Sequence, residues 1–340
     1  MVSIDKAING KGIFMAICRV ENLYKYYPVA SGIGSLLSRN VKMIKALDGI
    51  CIEIEKGEIL GLAGESGSGK TTLGEILVGL QKPTKGKILF EEAEVGVLRG
   101  KALKKFRRKV QMIFQDPYAT LNPRFTIGAT VAEPLIIHRI GSPETRPGRV
   151  IEALEQAELR PAADFIQRYP NELSGGQRQR VAIARAIVLE PRMLVTDEPV
   201  SMLDVSIRAE VLNLLKKLRV NLGISILYIS HDLSTIGYLC DRICIMYLGK
   251  IMEIGPTKDV INRALHPYTQ ALISAIPRPD PFEKRERIEV KGDLPDQIDL
   301  PPGCRFSPRC PVSKEICFKE EPGHGSAGPA HDVFCHLMNR

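Results

Sequence analysis

Residues 64–71 read Gly64-Glu-Ser-Gly-Ser-Gly-Lys-Thr71, a match to G-x-x-x-x-G-K-[ST]. Just before them, residues 59–63 form a short apolar run, the pattern of a buried strand feeding a turn. Just after them, residues 71–80 read as a helix. Glycines let the backbone fold tightly enough for successive N–H groups to point inward, and the helix start adds its positive end. That arrangement suits a triphosphate. Lys70 is placed to reach the β- and γ-phosphates, and Thr71 offers a hydroxyl to Mg2+. A strand before the loop and a helix after it supply the context the motif requires.

Two further stretches build on this loop. Residues 193–198 form an apolar strand ending in Asp197 and Glu198. Asp197 can hold Mg2+ through water, and Glu198 is placed as base for a water attacking the γ-phosphate. Residues 173–177, Leu-Ser-Gly-Gly-Gln, open a second helix behind the cap Ser174. This makes a second anion-binding helix end, which one nucleotide does not need from one chain. The arrangement makes sense if it closes on a nucleotide held by another subunit.

Strand-like segments at 50–54, 59–63, 193–196 and 224–229 alternate with helices. Residues 205–222 place Val211, Leu212, Leu215 and Leu218 on one helical face, with Gly223 as cap. An α/β fold with a largely parallel sheet is expected. Residues 116–184 read as a helical insertion without clear strands. Residues 277–303, rich in Pro and charge, read as an extended arm.

At 340 residues, 44% hydrophobic and 25% charged, the chain has room for about two domains. No uncharged apolar run approaches the roughly 18 residues of a membrane span. The first twenty residues lack an apolar stretch with a cleavage site, so no signal peptide is expected. The net charge of +8 favours acidic partners without choosing among nucleotides, nucleic acid and anionic membrane. Eight cysteines without a signal peptide point to thiols or metal ligands rather than disulfides. Cys18, Cys51, Cys240 and Cys244 read as small core residues. Cys304, Cys310, Cys317 and Cys335 crowd the tail with five, six and 17 residues between them. Four thiolates suit zinc or an iron–sulfur cluster, and no C-x2–4-C pair favours zinc. His324, His331 and His336 are alternative ligands or a solvated tail.

From about Arg19 to Pro256 the sequence resembles the ATP-binding cassette (ABC) ATPases. The resemblance implies a P-loop NTPase core at 17–257 with a helical subdomain at about 116–184. ATP binding then falls to Tyr27, Gly64, Glu65, Ser66, Gly67, Ser68, Gly69, Lys70, Thr71 and Thr72. Tyr27 matches the adenine-stacking aromatic, with Tyr26 an adjacent alternative. Mg2+ falls to Thr71, Gln115 and Asp197. Gln115, Glu198 and His231 match the catalytic residues. Ser174, Gly175, Gly176 and Gln177 match the signature that acts on the partner's nucleotide. Ser201 and Asp204 match the loop that communicates across the dimer, with Met202 where alanine is more usual.

Residues 114–124, 197–205 and 266–269 look like the oligopeptide and dipeptide importer branch, as do the arm and residues 303–311. That implies a C-terminal extension at 258–340 carrying the cysteines, where members can hold a four-iron four-sulfur cluster. Zinc stays the alternative. The segment at 28–44 looks like the second ATPase subunit, F, of such operons. The implied partners are a different ATPase subunit, two membrane permeases and, indirectly, an extracytoplasmic binding protein; no nucleic acid is expected. The implied place is the cytoplasmic face of the membrane, as a peripheral subunit. Nickel or oligosaccharide uptake is the nearest rival. A soluble ABC ATPase of DNA repair or translation is opposed by the mere 127 positions between Lys70 and Asp197, too few for a long coiled coil. A non-enzymatic module is opposed by Glu198 and His231.

Overall fold

In the computed structural model, which describes residues 16–29, 42–276, 288–290, 292, 297–326, 328 and 330–338, the chain opens with β1 (Ala16–Pro28), β2 (Met43–Glu55) and β3 (Ile59–Ala63). It continues through α1 (Lys70–Leu77), β4 (Lys85–Phe90), β5 (Ala93–Glu94), α2 (Gly100–Lys109) and β6 (Val110–Ile113). Next come α3 (Pro117–Thr120), α4 (Ile127–His138), α5 (Arg146–Gln156), α6 (Ala163–Ile166) and α7 (Gly175–Ile187). Then follow β7 (Met193–Asp197), α8 (Val205–Leu222), β8 (Ser225–Ile229), α9 (Leu233–Leu239), β9 (Arg242–Tyr247) and β10 (Lys250–Pro256). The tail holds α10 (Thr257–Asn262), α11 (Pro267–Ser274), α12 (Glu315–Lys319), β11 (Gly325–Ser326) and β12 (Asp332–Val333). Residues 1–15, and most of the 28–44 segment and of the 277–303 arm, lie outside the described residues.

The central sheet has the order β11-β12-β10-β9-β3-β8-β7-β6. Strands β9, β3, β8, β7 and β6 run parallel. Strands β3, β7 and β8 are buried at every position, as parallel strands covered on both faces require. Alternate residues enter separate cores. Ile59, Leu194, Ile226 and Tyr228 join the helical side, whereas Leu60, Leu62, Val195, Leu227 and Ile229 join α1 and the second sheet. Each buried Leu or Ile contributes about 1.5–3 kcal/mol. The sequence does not announce that second sheet, an antiparallel layer ordered β2-β1-β4-β5.

Helix α8 spans the expected residues, buries Val211, Leu212, Leu215 and Leu218, and ends on Gly223 at φ 63°. Helix α1 stops at Leu77, short of residue 80, where the chain turns at Val78 and Gly79. Residues 116–174 hold α3–α6 and no strand, as read. One core assignment is corrected. Cys51 is exposed, because the alternation of β2 turns Ile50, Ile52 and Ile54 inward and position 51 outward.

The tail is built onto the same sheet. β10 runs antiparallel to β9, β12 to β10, and β11 to β12. Glu253 of β10, fully buried, accepts hydrogen bonds from Leu265 N and His266 N at 3.0 Å and lies 2.7 Å from His331 Nε2. A buried carboxylate is tolerable only with such partners. His331 is therefore a buried docking residue, not part of a solvated tail.

Candidate active site

Because β3, β8, β7 and β6 are parallel neighbours in register, their C-terminal ends form one edge, the usual ligand side of such sheets. From that edge emerge the glycine loop after β3, His231 after β8, Asp197 and Glu198 at β7, and Gln115 after β6.

The loop needs its glycines. Gly64 has φ 151° and Gly69 φ 99°. A Cβ on Gly64 would stand 2.1 Å from Met246 O, and one on Gly69 2.3 Å from Ala46 O. Both are backbone atoms that cannot yield, so the loop is wedged between β9 and β2. Lys70 begins α1 and is buried. Its Nζ donates to Gly64 O (2.8 Å), Glu65 O (2.9 Å) and Ser68 Oγ (3.2 Å). Burial lowers its pKa, while the negative charges of Glu198, Asp197 and Glu65 oppose that shift.

Asp197 is buried at the end of β7, and burial pushes its pKa up; a hydrogen bond from Thr71 pulls the other way. A hydroxyl and a carboxylate side by side are a hard-oxygen pair that fits Mg2+. Glu198 follows at φ 47°, a left-handed conformation costing roughly 1–3 kcal/mol for a non-glycine residue. Its N–H donates to Ile229 O (2.9 Å), and its carbonyl accepts from Ser201 Oγ (3.0 Å). Its carboxylate is held from both sides. Gln115 Nε2 donates to Oε2 at 3.0 Å, and His231 Nδ1 lies 2.9 Å from Oε1.

Ser174 caps α7 and forms a reciprocal box with Gln177 through contacts of 3.0 and 3.3 Å. Gly176 lets α7 approach α8, since a Cβ there would meet Ile207 Cγ2 at 2.6 Å. Ser174 and Asp204 are exposed, beside Met202 (57%) and Val205 (80%). The described hydrogen bonds of Ser174 do not join it to the chain's own glycine loop. Tyr27 is half-buried and donates through its hydroxyl to Gln81 Oε1 at 2.6 Å. Tyr26 instead donates to Asp48.

Three contacts to the glycine loop carry no sequence signal. Glu65 N donates to Tyr268 Oη (3.0 Å), Arg309 Nη1 donates to both Glu65 carboxylate oxygens (2.9 and 3.1 Å), and Gln297 Nε2 donates to Gly67 O (2.8 Å). Residues 266–269 and 303–311, which include Tyr268 and Arg309, were legible only as marks of the peptide-importer branch.

None of the eight cysteines forms a disulfide. Cys304, Cys310, Cys317 and Cys335 are buried and line one pocket. Burial pushes Cys304 up to about 11, reinforced by the other three thiols. Among the described residues no group of three or more His, Cys, Asp or Glu meets the geometry of a metal site. The four thiols converge on one pocket, but their side-chain geometry is not that of a four-thiolate centre.

Comparison with known proteins agrees with this layout. The ABC transporter family matches residues 47–201, and the C-terminal region of oligopeptide/dipeptide transporters matches residues 252–317. The oligopeptide transport ATP-binding protein AppF of Bacillus subtilis is 45% identical over 326 residues, covering 95% of this chain and 98% of AppF. A putative peptide import ATP-binding protein of Brucella ovis is 49% identical, covering 93% and 96%. The dipeptide transport ATP-binding protein DppF of Haemophilus influenzae is 45% identical, covering 88% and 90%. Among solved structures, the dimeric post-hydrolysis cassette MJ0796 bound to ADP and Pi superposes with a TM-score of 0.61. It is 32% identical and covers 71% of this chain and 98% of its own.

Proposed function

The chain belongs to the ABC transporter ATP-binding family, in its oligopeptide and dipeptide import branch, and from that premise we propose how its residues couple ATP hydrolysis to import. It is an ATPase subunit that works with membrane permeases, using ATP and Mg2+. Among the described residues no helix is long and apolar enough to cross a membrane. We place it on the cytoplasmic face, docked to the permeases.

The phosphate loop from Gly64 to Thr72 holds the triphosphate, Tyr27 stacks on adenine, and Thr71, Asp197 and Gln115 hold Mg2+. Bound Mg2+ would supply positive charge that offsets the phosphates beside the carboxylates of Asp197 and Glu198, whose negative charge already acts on Lys70. Glu198 takes a proton from water as its oxygen bonds the γ-phosphorus and the bond to ADP breaks. His231 orients Glu198 and reaches the γ-phosphate; Gln115 ties the base to the helical subdomain. The observation carrying this reading is the Glu198 carboxylate, fixed between Gln115 and His231 by a strained backbone.

Exposed Ser174 and Asp204, with Gly175–Gln177 and Ser201, complete the nucleotide site of a second, different ATPase subunit. Exposed Met202 and Val205 support that interface. Tyr118 (57% exposed) and Phe125 (43%), close after Gln115, suit the permease contact. An extracytoplasmic binding protein acts through those permeases. Residues 17–257 form the cassette, with the helical subdomain at about 116–184, and 258–340 the extension. There the four cysteines hold a four-iron four-sulfur cluster, supported by their convergence in one pocket.

Co-expression with a partner ATPase and permeases tests the function. Phosphate release should need all subunits and vanish with Lys70→Ala. Peptide uptake independent of this chain would contradict the assignment. Anaerobic purification should give about four iron atoms per chain; stoichiometric zinc without iron would overturn the cluster.

A further inference from the structure

The glycine loop is held from below by the cassette and from the side by the C-terminal extension. The cassette's share is Gly249 N, which donates to Ser68 O at 3.0 Å. Three further points are held by residues beyond 265: the N–H of Glu65 by Tyr268, its carboxylate by Arg309, and the carbonyl of Gly67 by Gln297. Glu65 also uses its carbonyl for Lys70 Nζ. One loop residue thus joins the phosphate-binding lysine to the extension.

Arg309 is well placed to define that position. Its Nη1 contacts both Glu65 oxygens and lies 3.3 Å from Tyr247 Oη. Its neighbour Cys310 is one of the four converging thiols. Four residues back, buried Arg305 donates to Leu248 O at 2.9 Å and pairs with Asp48. Leu248 precedes Gly249, the residue that supports Ser68. Phe306 between them is fully buried, in ring contact with Tyr247, Tyr268 and His266. On the side of Arg305 and Phe306 the loop's support is therefore tightly packed.

We propose that Arg309, through Glu65, and Gln297, through Gly67, are positioning residues that set the phosphate loop for ATP, making the extension part of the nucleotide site. Neither touches the reacting atoms. A charge-assisted pair fixes Glu65, and with it the carbonyl that orients Lys70. Glu198 and His231 emerge from other strands and are untouched by this clamp. Its loss weakens nucleotide binding and leaves the chemical step alone.

The inference rests on the ATPase reading. Calorimetric titration of the full-length chain with Mg·ATP tests it, comparing wild type, Arg309→Ala, Arg309→Lys, Glu65→Gln and the Arg309→Ala/Glu65→Gln double variant. Arg309→Ala and Glu65→Gln should each weaken binding roughly 3- to 10-fold, with the double variant no worse than either single one. Arg309→Lys should recover part of the loss. In the assembled transporter the Arg309→Ala variant should raise KM for ATP at unchanged kcat. Glu65 lies outside the extension, so Glu65→Gln keeps the test decisive if Arg309→Ala disturbs the tail. Wild-type affinity in Glu65→Gln, or additive losses in the double variant, would overturn the clamp alone. Failure of the wild type to bind ATP would instead sink the reading on which it rests.

Discussion

His231 Nδ1 lies 2.9 Å from Oε1 of Glu198, across the boundary between β8 and β7. The opposite oxygen accepts from Gln115, which follows β6. Strand β7 lies between β8 and β6, so its last carboxylate can be gripped from both neighbours at once. Without that strand order one side of Glu198 would be free to rotate.

His231→Ala should therefore lose hydrolysis while keeping ATP. Phosphate release should fall about 10²-fold or more, as when a positioned acid–base group is lost. Nucleotide affinity should change little, because the loop and Lys70 are intact. Paired titration and single-turnover assays check this. An equal loss of affinity would assign His231 to binding instead.

Ser174→Arg should obstruct closure on a second subunit without touching the chain's own loop. Sedimentation with the partner ATPase and ATP should show the complex for wild type and not for the variant. ATP binding by the isolated variant should match wild type. A complex of undiminished strength would contradict the outward role of this helix end.

Acid should loosen the extension through His266. Its imidazole is buried, accepts from Tyr268 N at 3.0 Å, and burial pushes its pKa down to about 3. The unfolded chain's imidazole titrates near 6.5, so below that pH the unfolded state binds a proton the folded state refuses. Stability from this residue is complete above about pH 6.5 and falls by about 1.4 kcal/mol per unit toward pH 3. Asparagine can cap α11 without titrating. Between pH 6.5 and 5 wild type should lose about 2 kcal/mol more than His266→Asn. Parallel stability curves would contradict the assignment.

The sheet edge that carries the glycine loop was legible because each part is local. The glycine loop, Asp197-Glu198 and Leu173–Gln177 each sit at one strand end or helix start, where a few residues set the geometry. The antiparallel layer was not. β1 is broken by register shifts between Val20 and Leu23 and between Lys25 and Tyr26, which scramble its alternation. The clamp was hidden for a different reason: Glu65 and Arg309 lie 244 positions apart, and neither pattern hints at the other. The outward turn of Cys51 was within reach of the sequence, since the Ile-Cys-Ile-Glu-Ile alternation of residues 50–54 already sets position 51 opposite the three isoleucines.

The most direct test is peptide-coupled phosphate release by the transporter reconstituted in vesicles, with this subunit as wild type or Glu198→Gln. Wild type should release phosphate with peptide uptake. The variant should bind ATP, hold the closed complex with its partner ATPase, and release phosphate about 10²- to 10³-fold more slowly from its own site. Near-normal turnover at that site would contradict the account, because no other carboxylate is held between Gln115 and His231 among the described residues.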